Sequence, residues 1–156
     1  MSGNTFKIYV KDTGVLVYML GPAVAKGVMD GEFTINNGAV IKDAISEALI
    51  RKGYKVHFYR NPIRRMELDF VFNYNGELAV VEVESGRKKS ARSLNKALSE
   101  DRAIDIAMKV SDSNISTDEN GVRHYPLFGP SFFDDSTVLE LPPLTGIDEL
   151  KAALDR

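Results

Sequence analysis

Four acidic residues stand at a spacing that suits metal-assisted or acid–base chemistry: Glu67, Asp69, Glu82 and Glu84. They lie in two segments, 66–73 and 77–84, that alternate apolar and polar residues as strands do. Between these segments stands Asn75-Gly76. It is the strongest short hairpin signal, because both central residues of a type I′ turn need positive φ. With those two as the turn, Tyr74 opposes Glu77. Leu68 then faces Val83, Phe70 faces Val81 and Phe72 faces Ala79, a consistent apolar face. The other face pairs Asp69 with Glu82 and Glu67 with Glu84, with opposite Cβ atoms about 5 Å apart. Like charges so placed repel, and something must offset them. A hard divalent cation such as Mg2+ is one answer, since it takes carboxylate oxygens as ligands. Basic side chains are another, with Lys42, Arg60, Arg64 and Arg65 as candidates. One carboxyl kept protonated by its neighbour is the third. Val71 and Val80 lie beneath the patch and would partly desolvate it.

Other elements must hold this hairpin in place. Asn37 suits the N-cap of a helix running to Lys52, with Ile41, Ala44, Ile45, Ala48 and Leu49 on one face and Gly53 as its stop. Residues 54–60 read as a strand, followed by the Asn61-Pro62 break. Residues 90–101 read as a helix with Leu94, Ala97 and Leu98 inward, and residues 103–110 as a further strand. The central order is therefore helix, three strands, helix, strand. Upstream, residues 6–10 read as a strand and Asp12-Thr13-Gly14 as a turn. A short helix follows at 15–20, ended by Gly21-Pro22. Downstream, residues 111–121 form a polar loop, and 122–128 a strand stopped at Gly129-Pro130. Residues 137–141 are extended, and Thr145 and Asp148 form a capping box for a last helix with Ile147, Leu150 and Leu154 inward.

The chain has 156 residues, of which 44% are hydrophobic and 27% charged. That excludes a disordered tail and allows one core, so the expectation is a single domain over 1–156 with its core at about 38–110. Cysteine is absent and only His57 and His124 are present. Disulfides, thiolate metal sites and multi-histidine zinc sites are thereby excluded. A net charge of −2 excludes a basic nucleic-acid clamp built from the whole chain. Charge is nevertheless uneven. Residues 1–110 carry 17 Lys+Arg against 13 Asp+Glu, and residues 111–156 carry 3 against 9. Two stretches hold base without acid: 51–65, with Arg60, Arg64 and Arg65, and 87–96, with Arg87, Lys88 and Lys89.

The longest apolar stretch, 15–25, is cut by Gly21-Pro22 and is too short to span a membrane. The N-terminus lacks the layout of a secretory signal, so a cytoplasmic location is expected. His57 and His124 have no nucleophile or ligand partners in sequence and read as structural. Ser85-Gly86 reads as a strand-exit turn. Phe132-Phe133 reads as core, as do Tyr54, Phe58, Phe70 and Phe72.

Three groups of residues carry a family likeness: Gly38-Ala39-Val40-Ile41; Arg60 with Glu67-Leu68-Asp69-Phe70-Val71; and Val81-Glu82-Val83-Glu84-Ser85-Gly86. Together they resemble a PD-(D/E)XK nuclease-type domain. More narrowly, they resemble the uncharacterised C-terminal domain found behind the P-loop module of many prokaryotic AAA-type ATPases. Lys7-Ile8-Tyr9-Val10-Lys11-Asp12-Thr13-Gly14 resembles the entry to that domain. The resemblance implies an α/β fold with a restriction-endonuclease-like αβββαβ core, a mixed sheet flanked by helices. It implies Mg2+ held by Asp69 and Glu82, which with Glu84 form the catalytic set. The metal would supply a hydroxide nucleophile and stabilise charge on the phosphate. Arg60, Arg64, Arg65, Arg87, Lys88 and Lys89 would hold a nucleic-acid backbone.

Two departures qualify the resemblance. The motif on the third strand normally ends in Lys, where this chain has Glu84; Lys88 or Lys89 could replace it from the adjoining loop. The first helix usually offers a Glu where this chain has Lys42; Asp43 or Glu47 could substitute, with Asp43 off by about 100° around the helix, and a lysine near four acids resembles an internal counter-ion. No Gly-x-x-x-x-Gly-Lys-Ser/Thr motif occurs, so this chain should not hydrolyse ATP. The expectation is a degenerate or weakly active module that serves an AAA-type ATPase and binds nucleic acid or a protein partner. The alternative is an active Mg2+-dependent phosphodiesterase.

Overall fold

The architecture is that of a computed structural model, which describes residues 6–31, 37–63, 65–84, 92–100 and 104–133. Helix α3 (Asn37–Arg51) leads into strands β1 (His57–Asn61), β2 (Met66–Tyr74) and β3 (Glu77–Val83). Helix α4 (Arg92–Glu100) then crosses to β4 (Ile106–Ser111), followed by β5 (Ser116–Thr117) and β6 (Arg123–Pro126). The six strands form one sheet in the order β1-β2-β3-β4-β6-β5. β1, β2 and β3 are antiparallel neighbours, and β3-β4 and β4-β6 are parallel. A parallel pair needs a crossover, and α4 supplies it between β3 and β4. The fold is thus mixed α/β, and the helix, three-strand, helix, strand order is present.

The sheet is covered on both faces. Ile41, Ile45 and Leu49 of α3 pack on Phe70, Phe72, Val81, Val83, Met108 and Val110. On the other face Leu94 and Ala97 of α4 pack on Leu68, Val80, Ala107 and Val122. Strands buried on both sides read as near-continuous apolar runs, and Ala79-Val80-Val81 is one.

The Asn75-Gly76 turn has positive φ at both residues, +55° and +89°, as a type I′ turn demands. The expected register holds from Tyr74↔Glu77 to Phe70↔Val81. Gly76→Ala should lower stability by about 1 kcal/mol, because an L side chain is strained there. A chemical denaturation midpoint checks this.

Beyond Phe70 the expected register needs correction. β1 pairs His57 with Val71 but Tyr59 with Leu68, so β2 carries one extra residue, a bulge. The bulge reverses the alternation. Met66 and Leu68 pack on the α4 side, while Phe70 and Phe72 pack on the α3 side. Leu68 therefore does not share the Val83 face, and Leu68, Asp69 and Phe70 are buried in succession.

The N-terminal region departs further from expectation. Residues 6–10 pair with no strand. Helix α1 (Thr13–Leu20) begins inside the expected turn, with Asp12 as N-cap accepting from Val15 N at 3.1 Å. A second helix, α2 (Pro22–Met29), follows directly. Pro22 opens α2 instead of merely ending α1, because the first helical position needs no N–H donor.

Smaller corrections concern single positions. Residues 54–56 precede β1 and are not in it, and Ala44 is exposed. Phe133 is core while Phe132, 74% exposed, is not. The extended segment 137–141, the last helix with its capping box, and Ser85-Gly86 lie outside the described residues. No helix among the described residues is long and apolar enough to cross a membrane.

Candidate functional site

The β2 bulge sets Asp69 in the centre of the site. Bulges re-aim side chains, and here the result is a carboxylate only 2% exposed. Its Oδ2 accepts the Val83 backbone N–H at 3.1 Å, just where the β2–β3 ladder stops. Its Oδ1 faces Lys42 Nζ of α3 at 2.5 Å and Lys7 Nζ at 3.5 Å. Lys7 also pairs with Glu67 at 2.7 Å and lies over the Phe58 ring, 5.2 Å from its centroid. Burial opposes charge on Lys7, but Glu67 and Asp69 outweigh it and hold the ammonium above its ordinary value. The hydrogen bond from Lys7 holds the Glu67 carboxyl below its ordinary value.

Glu82 lies alongside. Burial, and then the charge of Asp69, push its carboxyl up to about 7, against the pull of Lys42, Lys7 and the Asp69 backbone N–H. Its Oε2 is buried and has no hydrogen-bond partner among the described residues. Glu84 Oε2 lies 2.6 Å from Lys109 Nζ on β4, the residue that pairs with Glu82 across the strands. The structure thus brings Glu67, Asp69 and Glu82 together with Lys7 and Lys42, and pairs Glu84 with Lys109. Arg60 is exposed and 4.0 Å from Glu67, and Arg65 is exposed. Arg64, Arg87, Lys88 and Lys89 lie outside the described residues. His57 is exposed, and His124 rests 3.3 Å from Asp118.

A second carboxylate group holds the N-terminal arm. Asp43, 2% exposed on α3, accepts Val10 N at 2.6 Å. The Thr13 hydroxyl lies 3.0 Å from both Asp43 and Glu47 and donates to one at a time. Thr13 N donates to Glu47 at 3.1 Å. Hydrogen bonds from Thr13 hold the Glu47 carboxyl below its ordinary value. Residues 6–10 thus gain side-chain acceptors in place of a strand partner, which satisfies backbone that would otherwise be orphaned. Sequence reasoning missed Lys7 and the structural role of Asp43. The available signal was an acid inside the apolar stripe of α3, which must find a partner when buried. Asp43→Ala should lower stability by about 2 kcal/mol by orphaning the Val10 N–H. It should also speed hydrogen exchange at Val10 and Thr13 more than at Val81.

The arm and α3 wall an open cleft of about 340 Å3, lined by Lys7, Tyr9, Leu16, Ala39, Lys42 and Glu67 among others. Asp69 is not among its lining residues. The donor set does not fit Mg2+ as it stands. Asp69 is taken up by two ammoniums and a backbone N–H, and burial together with the charge of Asp69 raises the proton affinity of Glu82. No group of three or more His, Cys, Asp or Glu among the described residues is placed to hold a metal ion.

Searches of curated proteins and of solved structures give no match. Residues 37–127, from α3 through β6, match the family described as a domain of unknown function, DUF4143. This uncharacterised domain is commonly found in the C-terminal regions of AAA-type ATPases. The matched segment spans more than half of the sequence and includes Lys42, Asp69 and Glu82, and on that ground the chain belongs to the DUF4143 family.

Proposed function

We propose that this domain is a nuclease-like module that does not cleave phosphodiesters and instead docks on an AAA-type ATPase. The observation that carries the non-catalytic part is the seating of Lys42 and Lys7 on Asp69, at 2.5 and 3.5 Å. A Mg2+-dependent nuclease needs that carboxylate for metal. Here its charge is already matched.

The docking part is supported by α1. This helix, Thr13–Leu20, contains no charged residue and has no fully buried side chain, with Thr13, Leu16, Val17 and Leu20 only partly covered. Tyr18 is 84% exposed and Met19 70% exposed. A helix this apolar is ordinarily covered. It follows directly on the N-terminal arm, so an ATPase module joined upstream would lie beside it. Contiguous apolar surface of this kind marks protein contacts more than nucleic-acid contacts.

Incubation of supercoiled plasmid with the full chain and Mg2+ or Mn2+ should give no nicking above the buffer control. Nicking that Asp69→Asn removes would contradict the reading. A photo-crosslinking residue at position 18 should give an adduct identified by mass spectrometry as an AAA-type ATPase. Adducts with unrelated proteins, or none, would contradict the docking.

Nucleic-acid binding is a second reading, favoured by exposed Lys55, Arg60 and Arg65 around β1. Such contacts weaken steeply with salt. A DNA mobility shift that is lost at high salt and weakened by Arg60→Ala with Arg65→Ala would support it. Absence of a shift at low salt would remove it.

A further inference from the structure

We propose that Lys42, seconded by Lys7, is the resident cation of the acidic site, so that the wild-type chain takes no divalent ion there and acquires a divalent-cation site when both ammoniums are removed. This deepens the non-catalytic reading above. It makes the lysines, and not a loss of acids, the reason that the nuclease-like site takes no metal.

Two carboxylates, Asp69 and Glu82, are still present at the site, although no group of three is placed to hold a metal among the described residues. Asp69 and Glu82 flank the Phe70↔Val81 pair on neighbouring strands, and Asp69 Oδ2 accepts the N–H of Val83, next to Glu82, at 3.1 Å. Glu67 joins them through Lys7. Hard cations bind clusters of this composition through their oxygens. One acceptor, Glu82 Oε2, is free of hydrogen-bond partners among the described residues. What the site lacks is room for a second source of positive charge.

Lys42 is delivered by α3, whose flanking residues Val40, Ile41 and Asp43 are all buried. Its ammonium is tethered beside Asp69, and a tethered group acts at an effective concentration in the millimolar range or above. A free cation at millimolar concentration must displace it and also meet Lys7. Both lysines also line the open cleft between the arm and α3, whereas Asp69 does not.

The site also couples to the arm. Lys7 belongs to residues 6–10, which Asp43 anchors through Val10 N at 2.6 Å. Lys7 thereby holds a part of the chain that is not in the sheet against the bulge of β2. A metal ion would neutralise the acids equally well but would not fasten the arm.

The test is Mn2+ titration of the full chain, followed by calorimetry and by water-proton relaxation. Wild type should show no saturable binding below about 10 mM. Lys7→Met with Lys42→Met should show one saturable site at least about tenfold tighter. Adding Asp69→Asn to that pair should abolish it. Asp69-dependent Mn2+ binding by wild type would overturn the proposal. So would a double variant that is folded by circular dichroism yet binds no Mn2+. If the double variant does not fold, wild-type NMR decides. The Val83 amide signal should keep its linewidth in Mn2+, and selective broadening there would overturn the proposal. The two readings fail separately: wild-type Mn2+ binding without nicking sinks this inference alone, whereas Asp69-dependent nicking sinks the non-catalytic reading.

Discussion

Asp69→Ala is expected to lower the unfolding free energy by about 3 kcal/mol, because removing one member of a buried ionic group strands the others. Lys42 and Lys7 would keep their charges in partly buried positions without the carboxylate that both of them face. The Val83 N–H would lose its acceptor as well. An orphaned buried donor alone costs about 1–3 kcal/mol. Asp69→Asn keeps a carbonyl oxygen for Val83 and removes only the charge, so it should cost less. Denaturant unfolding of wild type and both variants checks the order. If the alanine and asparagine variants lose nothing, the carboxylate does not hold the site together.

Glu82 predicts a pH dependence of opposite sign to that of ordinary paired acids. Its carboxyl is raised from 4.5 to about 7, so the folded chain binds a proton that the unfolded chain has released. The stability from this group is fully present below about pH 4.5. It declines as pH rises and is lost above about pH 7. That shift corresponds to a loss on the order of 3 kcal/mol across the window. Glu67 acts in the other direction, since its lowered pKa contributes stability above its unfolded value that is lost as pH falls. The difference between wild type and Glu82→Gln isolates the first effect. Glu82→Gln should be nearly neutral at pH 4.5 and clearly stabilising at pH 8. A flat difference across that range would show that Glu82 titrates as an exposed acid.

Much of the frame was legible because its signals are local. Asn75-Gly76 sets the hairpin, since positive φ at two successive residues suits few other pairs. The apolar stripe of α3 and the inward Leu94 and Ala97 of α4 follow helical spacing. The β2 bulge was not legible. Met66, Leu68, Phe70 and Phe72 alternate without a break in sequence, and no residue type marks the extra position. Their division between two layers is decided by the different pairings that β1 and β3 make with β2.

The site was legible in part for the same reason. Hairpin register put Asp69 and Glu82 on neighbouring strands but not their pairing, since the ladder stops at Phe70↔Val81, and Lys42 was legible as a counter-ion because it stands where the resemblance calls for an acid. Glu84 reads without a partner of its own because strand alternation says nothing of β4, whose Lys109 pairs with it. Lys7 was out of reach, since residues 6–10 alternate like a strand but are held by Asp43 on α3 and not by a sheet neighbour. Pro22 misled in a simpler way. A proline ends one helix and opens another equally well, and Gly21 at φ +94° allows the chain to turn between them.

The claim at the centre of this account is that Lys42 and Asp69 act on each other as a cation and its acid. A double-mutant cycle with Lys42→Met and Asp69→Asn, read by denaturant unfolding at pH 7, measures that interaction alone. The account predicts a coupling of about 2 kcal/mol in favour of the wild-type pair. A coupling within about 0.3 kcal/mol of zero, with all four proteins folded, would contradict it.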